Sequence, residues 1–262
     1  MYRLFAVLAA VLILSFEVCL AQSPPPTSDP QALALVAKSI AAMTGGQPVN
    51  GVTLNAAAIW IAGSDYFTGT ATLQAKGNTD SRVDLTLNGL SRTEIRSTTG
   101  GAPSGSWIVA SAKAQPYAQH NCWTDAVWFF PALSSLTQVS NTGFFYSYVG
   151  QEQHEGLTVQ HIRVFQHLPY DPNGLALVDK LSASDIYLDP VSFLPLAVAF
   201  KVHPDRDMLV DIPMEIRFAN YQAVSGVQVP FHIQRLLNGD LALDLSVTNA
   251  VMNSAVSLSQ VR

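Results

Sequence analysis

The last quarter of the sequence contains three successive runs in which apolar and polar residues alternate. A period of two places alternate side chains on one side of a β-strand, so each run predicts a strand with one apolar face. Asn238-Gly239, between the second and third runs, tolerates positive φ at both centres of a tight hairpin turn. The sequence therefore predicts an antiparallel meander with one apolar side, formed by Met214, Ile216 and Phe218, then Val227, Val229, Phe231 and Ile233, then Leu241, Leu243, Leu245 and Val247.

The composition indicates one folded domain with a sizeable core. The chain has 262 residues, of which 48% are hydrophobic and only 13% are charged. This apolar content excludes disorder for most of the chain. The formal net charge is -5 and no cluster of Lys and Arg occurs, so we expect no nucleic-acid partner.

Residues 1–21 have the pattern of a secretory signal peptide. Arg3 supplies the positive start, residues 4–16 form an apolar run, and Cys19-Leu-Ala21 resembles a cleavage site. We therefore expect an exported protein in the periplasm or another extracytoplasmic compartment of a bacterium, not integral to a membrane after cleavage. Retention of the segment as an anchor is the alternative, although the run is short for a bilayer. The mature chain would keep only Cys122, which excludes an intrachain disulfide.

A Pro-rich tether is predicted at residues 22–28, followed by a single domain at residues 29–262. Asp29-Pro30 is a helix start, and Gly45-Gly46 is a helix stop. Between them, apolar residues recur at helical spacing. This amphipathic helix must cover the apolar side of the sheet, through the face formed by Leu33, Val36, Ala37, Ile40 and Ala41.

Further strands are predicted at residues 52–61, 66–76, 82–88, 92–97, 107–110, 144–151, 157–167, 183–188 and 194–201. The Gly-rich residues 99–105 are predicted to form a loop. Residues 116–139 break the strand rhythm with an aromatic stretch, and Pro131 is predicted to open a helix through Leu133, Leu136 and Val139. This segment is too apolar to stand in water, so we expect it to cover the sheet. The connection at residues 168–180 contains apolar residues 175–178, which either pack locally or form a rim over a cavity.

No pattern of catalytic or metal-binding residues emerges from the sequence. Cys122 lies beside Trp123 and is expected to be a buried structural thiol, and no G-x-S-x-G turn occurs. His161 and His167 would lie roughly 20 Å apart along a strand, too far for one metal ion. We therefore expect no enzyme, no cofactor and no metal site, although six histidines are present: His120, His154, His161, His167, His203 and His232.

Three segments resemble the periplasmic lipoprotein-carrier (LolA-like) superfamily. They are residues 150–164, the run Ile186-Tyr-Leu-Asp-Pro-Val-Ser-Phe-Leu-Pro195, and the run Phe218-Ala-Asn-Tyr-Gln-Ala-Val-Ser-Gly-Val-Gln-Val-Pro230. The resemblance implies an α+β fold in which a large curved antiparallel sheet forms an unclosed β-barrel. The N-terminal helix and the central helical insert would then cover its concave face. It also implies binding of acyl chains or lipidated partners, while related folds act as envelope sensors that bind a regulatory protein.

The primary hypothesis is a non-enzymatic binding protein for a lipid or lipidated ligand in a hydrophobic cavity. The alternative is an envelope protein-interaction or sensor module with the same fold and no small-molecule ligand. A sealed core would favour the module, and an open apolar cleft would favour the carrier. An outer-membrane barrel fits poorly with the leading helix and the helical insert. The residues predicted to line the cavity are Trp128, Phe129, Phe130, Met214, Ile216, Phe218, Phe231 and Ile233.

Overall fold

The computed structural model describes residues 26–168 and 177–253. The predicted signal peptide, most of the predicted tether and residues 175–176 of the predicted rim lie outside this part of the chain. Within it, no helix is long and apolar enough to cross a membrane.

The described residues form one antiparallel sheet of thirteen strands. The strands are β1 (Gly51–Ala62), β2 (Asp65–Lys76), β3 (Asp80–Leu87), β4 (Leu90–Thr99), β5 (Ala102–Val109), β6 (Gln115–Pro116), β7 (Phe144–His154), β8 (Leu157–Gln166), β9 (Ser184–Leu188), β10 (Pro195–Val202), β11 (Ile212–Val224), β12 (Val227–Leu237) and β13 (Asp240–Met252). Two α-helices accompany them, α1 (Pro30–Thr44) and α2 (Leu177–Ser182).

The sheet is a half-barrel whose gap is bridged by one segment. The strand order is β6-β5-β4-β3-β2-β1-β13-β12-β11-β10-β9-β8-β7. Neighbours in the sheet are neighbours in the chain except at the centre, where β1 pairs with β13. The two edge strands, β6 and β7, are consecutive in the chain, and residues 117–143, here called the insert, connect them. The predicted unclosed α+β half-barrel is confirmed.

The apolar alternation of the last three strands forms part of the concave face, as the sequence predicts. Phe218 pairs with Ile233, and Ile233 pairs with Leu245, so these side chains project to the same side. All three are buried, with 0–3% of their surface exposed. Asn238 and Gly239 have φ of 54° and 87°, the backbone that a type I′ hairpin turn requires.

Helix α1 begins and ends where the sequence predicts. The Asp29 carboxylate accepts a hydrogen bond from the Gln31 N–H at 2.7 Å, and Gly45 ends the helix in the left-handed conformation. The predicted buried face is only partly right, because Ala37 and Ala41 are exposed. The helix is rotated so that larger side chains reach β12 and β7, and its buried residues are Ala32, Leu35, Val36, Ser39, Met43 and Thr44.

The insert covers the concave face, but the predicted α-helix in it is wrong. Two 3₁₀ turns replace that helix, at Pro131–Leu133 and Ser135–Thr137, and a third lies earlier in the insert, at Gln119–Trp123. The Ser134 hydroxyl donates to the Pro131 carbonyl and accepts from the Leu136 N–H, bonds that compete with α-helical pairing. Val139, predicted on the inner face, is 46% exposed.

Two predicted irregular segments contain regular structure. The predicted loop at residues 99–105 is a tight hairpin between β4 and β5, with Gly100 and Gly101 at φ of 60° and 82°. Part of the predicted connection at residues 168–180 forms α2, which packs against β8 and buries Val178 and Leu181.

Candidate binding cavity

Strand β4 changes the chemistry of the concave wall. On its neighbour β3 the inward positions after Ser81 are apolar, including Val83 and Leu85, which are almost fully buried. Residues directly opposite each other on paired strands point to the same face. Arg92 pairs with Leu85, Glu94 pairs with Val83, and both therefore face inward. The barrel interior consequently carries charged groups along β4.

A second arginine reaches this cluster from the other half of the sheet. The Arg92 Nε donates to the Glu94 Oε1 at 2.9 Å. The Nη1 of Arg235, on β12, lies 3.7 Å from the Glu94 Oε2. Both guanidinium groups lie over the Trp60 ring, 5.4 and 5.3 Å from its centroid, and Arg235 also lies over Trp128 at 5.1 Å. Cation–π contacts therefore hold the two cations beside one buried carboxylate.

The arginines keep Glu94 ionised although it is buried. Burial alone would raise the pKa of Glu94, but the charges of Arg235 and Arg92 outweigh it and lower that pKa below its ordinary value. The nearby Tyr117 hydroxyl also lowers the pKa of Glu94. Burial and the Glu94 charge in turn raise the pKa of Tyr117, so the phenol remains protonated and available as a donor.

Arg96, the third inward arginine of β4, ties the insert to the sheet. Its Nη2 donates to the carbonyls of Cys122 and Thr124 at 2.7 and 2.9 Å. The register opposite Ser81 places it on the concave face with Arg92 and Glu94. Its buried Nε has no hydrogen-bond partner within the described ranges.

Asp125 forms hydrogen bonds within the insert. Its two carboxylate oxygens accept from the backbone N–H and the hydroxyl of Ser135, at 2.9 and 3.0 Å. Desolvation by the surrounding protein raises the pKa of Asp125, against the opposing effect of these hydrogen bonds and of Arg96. Asp125 thus acts chiefly as an internal hydrogen-bond partner of the insert.

Asn121 joins the insert to the connection between β10 and β11. Its side-chain amide donates to the His203 carbonyl at 2.7 Å and accepts from the His203 N–H at 2.8 Å. We call these two hydrogen bonds the clasp. Beside the clasp, the His120 Nε2 lies 3.1 Å from the Pro204 carbonyl oxygen. These bonds position the insert over the strand ends of the second half of the sheet.

A cavity of about 330 Å³ lies between the insert and the concave face. It reaches solvent beside the exposed Asp205. Charged and apolar residues adjoin in the cavity wall, since Arg235 pairs with Ile216 and lies over Trp128. The charged lining includes Glu94, Arg96 and Arg235, and the apolar lining is formed by Trp107, Trp128, Phe200, Val202, Ile212, Met214, Ile216 and Leu237.

Three of the residues predicted to line a cavity lie on this wall: Trp128, Met214 and Ile216. The remaining five pack in the core beside it. Of these, Phe231 is half-buried against the core, and the other four are 0–3% exposed: Phe129, Phe130, Phe218 and Ile233.

The charged residues of the wall were not predicted from the sequence. The alternation of Arg92, Glu94 and Arg96 along β4 was the available signal, because a period of two places them on one face. Their outward neighbours are also largely polar, so the pattern does not say which face is the inner one. Arg235 lies two residues after Ile233 in the apolar alternation of β12. The period of two therefore indicates that Arg235 also faces inward.

Two other spaces flank the cavity. A polar one of about 280 Å³ lies on the far side of Arg96 and Asp125. A larger open groove, of about 860 Å³, lies on the convex side of β8 to β11. Half of its lining residues are charged, including Arg163, Asp185 and Lys201, and the others include Phe165 and Leu236.

The residues with catalytic or metal-binding chemistry are engaged in structural contacts. His161 and Arg163 both contact the Asp185 carboxylate on the convex face, while His167 contacts Asp179. Across residues 26–168 and 177–253, no group of three or more His, Cys, Asp or Glu residues is arranged to hold a metal ion. Cys122 is 3% exposed, and burial raises the pKa of its thiol, which disfavours the reactive thiolate.

Comparison with known proteins defines the fold. No protein-family model and no curated protein matches the chain. A domain from Vibrio parahaemolyticus classed as an outer membrane lipoprotein-sorting protein has a TM-score of 0.54 at 12% identity, over 87% of this chain and 94% of that one. A DUF1329 family protein from Desulfovibrio piger has a TM-score of 0.51 at 11% identity, over 88% and 96%.

A LolA superfamily protein from Nitrosomonas europaea has a TM-score of 0.49 at 12% identity, over 86% of this chain and 94% of that one. The two similarities with TM-scores above 0.5 establish the fold. The chain has the LolA-like half-barrel fold that its sequence motifs predict. Since one fold hosts many functions, the fold alone does not define what the cavity binds.

Proposed function

We propose that the protein is an exported, non-enzymatic binding protein for a lipid or lipidated ligand, which it holds in the concave-face cavity. The observation that carries this proposal is the apolar wall under the insert, where Trp128, Met214 and Ile216 border open space. Burial of an acyl chain there contributes about 0.8 kcal/mol per CH₂. The volume, about 330 Å³, is near the lower end of roughly 300–1,000 Å³ for small-molecule sites, so it suits a single short tail.

The expected location and partners follow from the sequence. The signal-peptide pattern of residues 1–21 supports an extracytoplasmic site of action. A lipid or a lipoprotein is the expected cargo, and the proposal involves no cofactor, no metal and no nucleic acid.

Ligand binding can be tested on natively purified mature protein. We expect mass spectrometry of organic extracts to detect a co-purified lipid, and the protein to bind a neutral lipophilic dye. Met214→Trp adds bulk to the cavity wall and should weaken dye binding. Val251→Trp, at a position on β13 that is 45% exposed, should not. Empty extracts together with no dye binding by the unmodified protein would refute the proposal.

The second candidate is an envelope protein-interaction or sensor module. Its support is the close packing between the insert and the sheet, where Phe129 and Phe130 of the insert and Tyr146 of β7 are 0–1% exposed. This candidate predicts one specific partner in a cross-linked pull-down from envelope extracts. It also predicts that the M214W variant retains that partner while dye binding is absent from both proteins.

A further inference from the structure

We propose that the cavity selects anionic amphiphiles, with the carboxylate or phosphate head group bound by the guanidinium group of Arg235. This inference rests on the proposed function and narrows its ligand class. The apolar tail would lie against Ile216, the cross-strand partner of Arg235, and against Met214 and Phe200, which pair with each other further along the same wall.

The guanidinium group of Arg235 is fixed in place with its hydrogen-bonding capacity unused. The Trp60 and Trp128 rings lie within 5.3 and 5.1 Å of it, and its side chain is 15% exposed. An arginine has five N–H donors. No residue in the described part of the chain accepts a hydrogen bond from this guanidinium, and the nearest carboxylate oxygen, on Glu94, is 3.7 Å away. The free N–H edge therefore borders the cavity.

Glu94 does not satisfy Arg235 because its nearer oxygen, Oε2, lies beyond hydrogen-bond distance of the guanidinium. Its other oxygen, Oε1, accepts from the Arg92 Nε at 2.9 Å. One carboxylate thus faces two guanidinium groups, and the hydrogen bonds go to Arg92. A second anion beside Arg235 would complete the pairing.

The remaining charges leave the inner end of the cavity positive. Arg96 adds a third cation, and Asp125 directs both carboxylate oxygens toward Ser135. Asp205 lies at the exposed end, where water screens it. A ligand with an anionic head therefore gains electrostatic energy that a neutral ligand of equal length does not.

Arginine suits this role for geometric reasons. Its planar fork forms two parallel hydrogen bonds with a carboxylate or phosphate, and stacked aromatic rings reduce the entropy lost when those bonds form. The indole rings of Trp60 and Trp128 also exclude water from the flanks of the guanidinium, which strengthens any charge-assisted bond made at its edge.

The test is competition against a neutral lipophilic dye at neutral pH, with three ligands that share one twelve-carbon tail. These ligands are laurate, dodecyl phosphate and 1-dodecanol. We expect at least one of the two anions to displace the dye at a concentration about tenfold or more below that of the alcohol. The stronger of the two anions identifies the head group.

Variants assign the preference to Arg235. Arg235→Gln should remove the advantage of the anion over the alcohol and leave displacement by dodecanol unchanged, while Arg235→Lys should retain part of it. Arg163→Gln is the matched control, because Arg163 is 52% exposed on the convex face, paired with Asp185. The control should keep the full preference. If the Gln variant fails to fold, the wild-type ligand series and the Lys variant still test the inference.

The outcomes separate this inference from the proposed function. Equal displacement by anions and alcohol overturns anion selection and leaves lipid binding intact. A preference that survives in Arg235→Gln, or is lost in Arg163→Gln, overturns the assignment to Arg235. Displacement by none of the three ligands refutes lipid binding itself.

Discussion

The Glu94 carboxylate connects the two halves of the sheet. Arg92 lies on β4 and Arg235 on β12, strands that are separated by β3, β2, β1 and β13 in the sheet. Their guanidinium groups nevertheless meet at one carboxylate, because the concave curvature brings the two inner faces together. An ion pair of this kind is sensitive to loss of one partner, since the remaining charges stay partly buried.

Replacing Glu94 with Gln tests this cluster through pH. The folded-state pKa of Glu94 lies below its ordinary value of 4.5. Its stabilising contribution is therefore present above pH 4.5 and is lost as the pH falls through the lower folded-state value. We expect E94Q to lower the free energy of unfolding by about 2 kcal/mol at neutral pH. That difference should shrink on acidification, as measured by urea denaturation.

Asp84→Asn is the control for this series, because Asp84 pairs with Arg82 at 24–34% side-chain exposure. A surface pair contributes less, so we expect about 1 kcal/mol or less from it at neutral pH. A difference between wild type and E94Q that is constant across the pH series would contradict the assigned ionisation of Glu94.

Gly69, in the middle of β2, is required for strand packing. A Cβ at this position would lie 1.8 Å from the Thr86 carbonyl oxygen on β3, so the backbone would have to move. We expect Gly69→Ala to cost at least about 2 kcal/mol of stability, measured by thermal or urea denaturation. Gly143→Ala is the matched control, because its Cβ would meet neighbours at 3.4 Å or more. Equal stability of the two variants would refute the close approach.

At the scale of elements, the strands were predictable and the insert was not. A half-buried strand imposes strict alternation, so the meander from β11 to β13 and most earlier strands follow from the sequence. The insert lacks such a period. Pro131 permits a helix start, but Ser134 and Asp125 bond locally to the backbone and divide the segment into short 3₁₀ turns. Side-chain competition of this kind depends on contacts that periodicity does not encode.

The clasp between Asn121 and His203 should control the mobility of the insert. Asn121→Ala removes two hydrogen bonds, each worth about 1 kcal/mol. We expect faster amide hydrogen exchange at residues 203–211, because these bonds tie that connection to the insert. Asn141→Ala is the control, since the Asn141 side chain accepts from the Gly143 N–H within the insert. Exchange at residues 203–211 that is unchanged in N121A would argue against the clasp.

At the scale of the whole molecule, the binding site depends on a long-range register. Trp128, Met214 and Ile216 were predicted as cavity residues because they belong to local apolar patterns. The grouping of Arg92, Glu94 and Arg235 was not predictable, because it requires β1 to pair with β13 in one register. No local pattern specifies that pairing, and a shift of one residue would turn every inward side chain outward.

Pairing at the centre of the sheet should make the two halves unfold together. Leu245 on β13 pairs with Ala58 on β1 and is 0% exposed. We expect Leu245→Ala to cost about 2–5 kcal/mol. The urea unfolding transitions measured by far-UV circular dichroism and by tryptophan fluorescence should shift by the same amount in this variant. This is expected although all four tryptophans precede β7 in the chain.

Val251→Ala is the control for this variant, at a position on the same strand that is 45% exposed. It should change the stability by no more than about 0.5 kcal/mol. A fluorescence transition that stays in place while the dichroism transition shifts would show that the halves unfold separately.

The pairing of β1 with β13 also bears on how the polypeptide is made. The Asn50 N–H bonds to the side chain of Asn253, 203 positions later. Translation delivers β1 early, so one of its hydrogen-bonding edges stays vacant until β13 has been synthesised. Vacant edges attract strands of other molecules, and distant partners find each other slowly. Nascent copies are therefore most vulnerable to aggregation during this interval, when a chaperone that shields the β1 edge would raise the yield of folded protein.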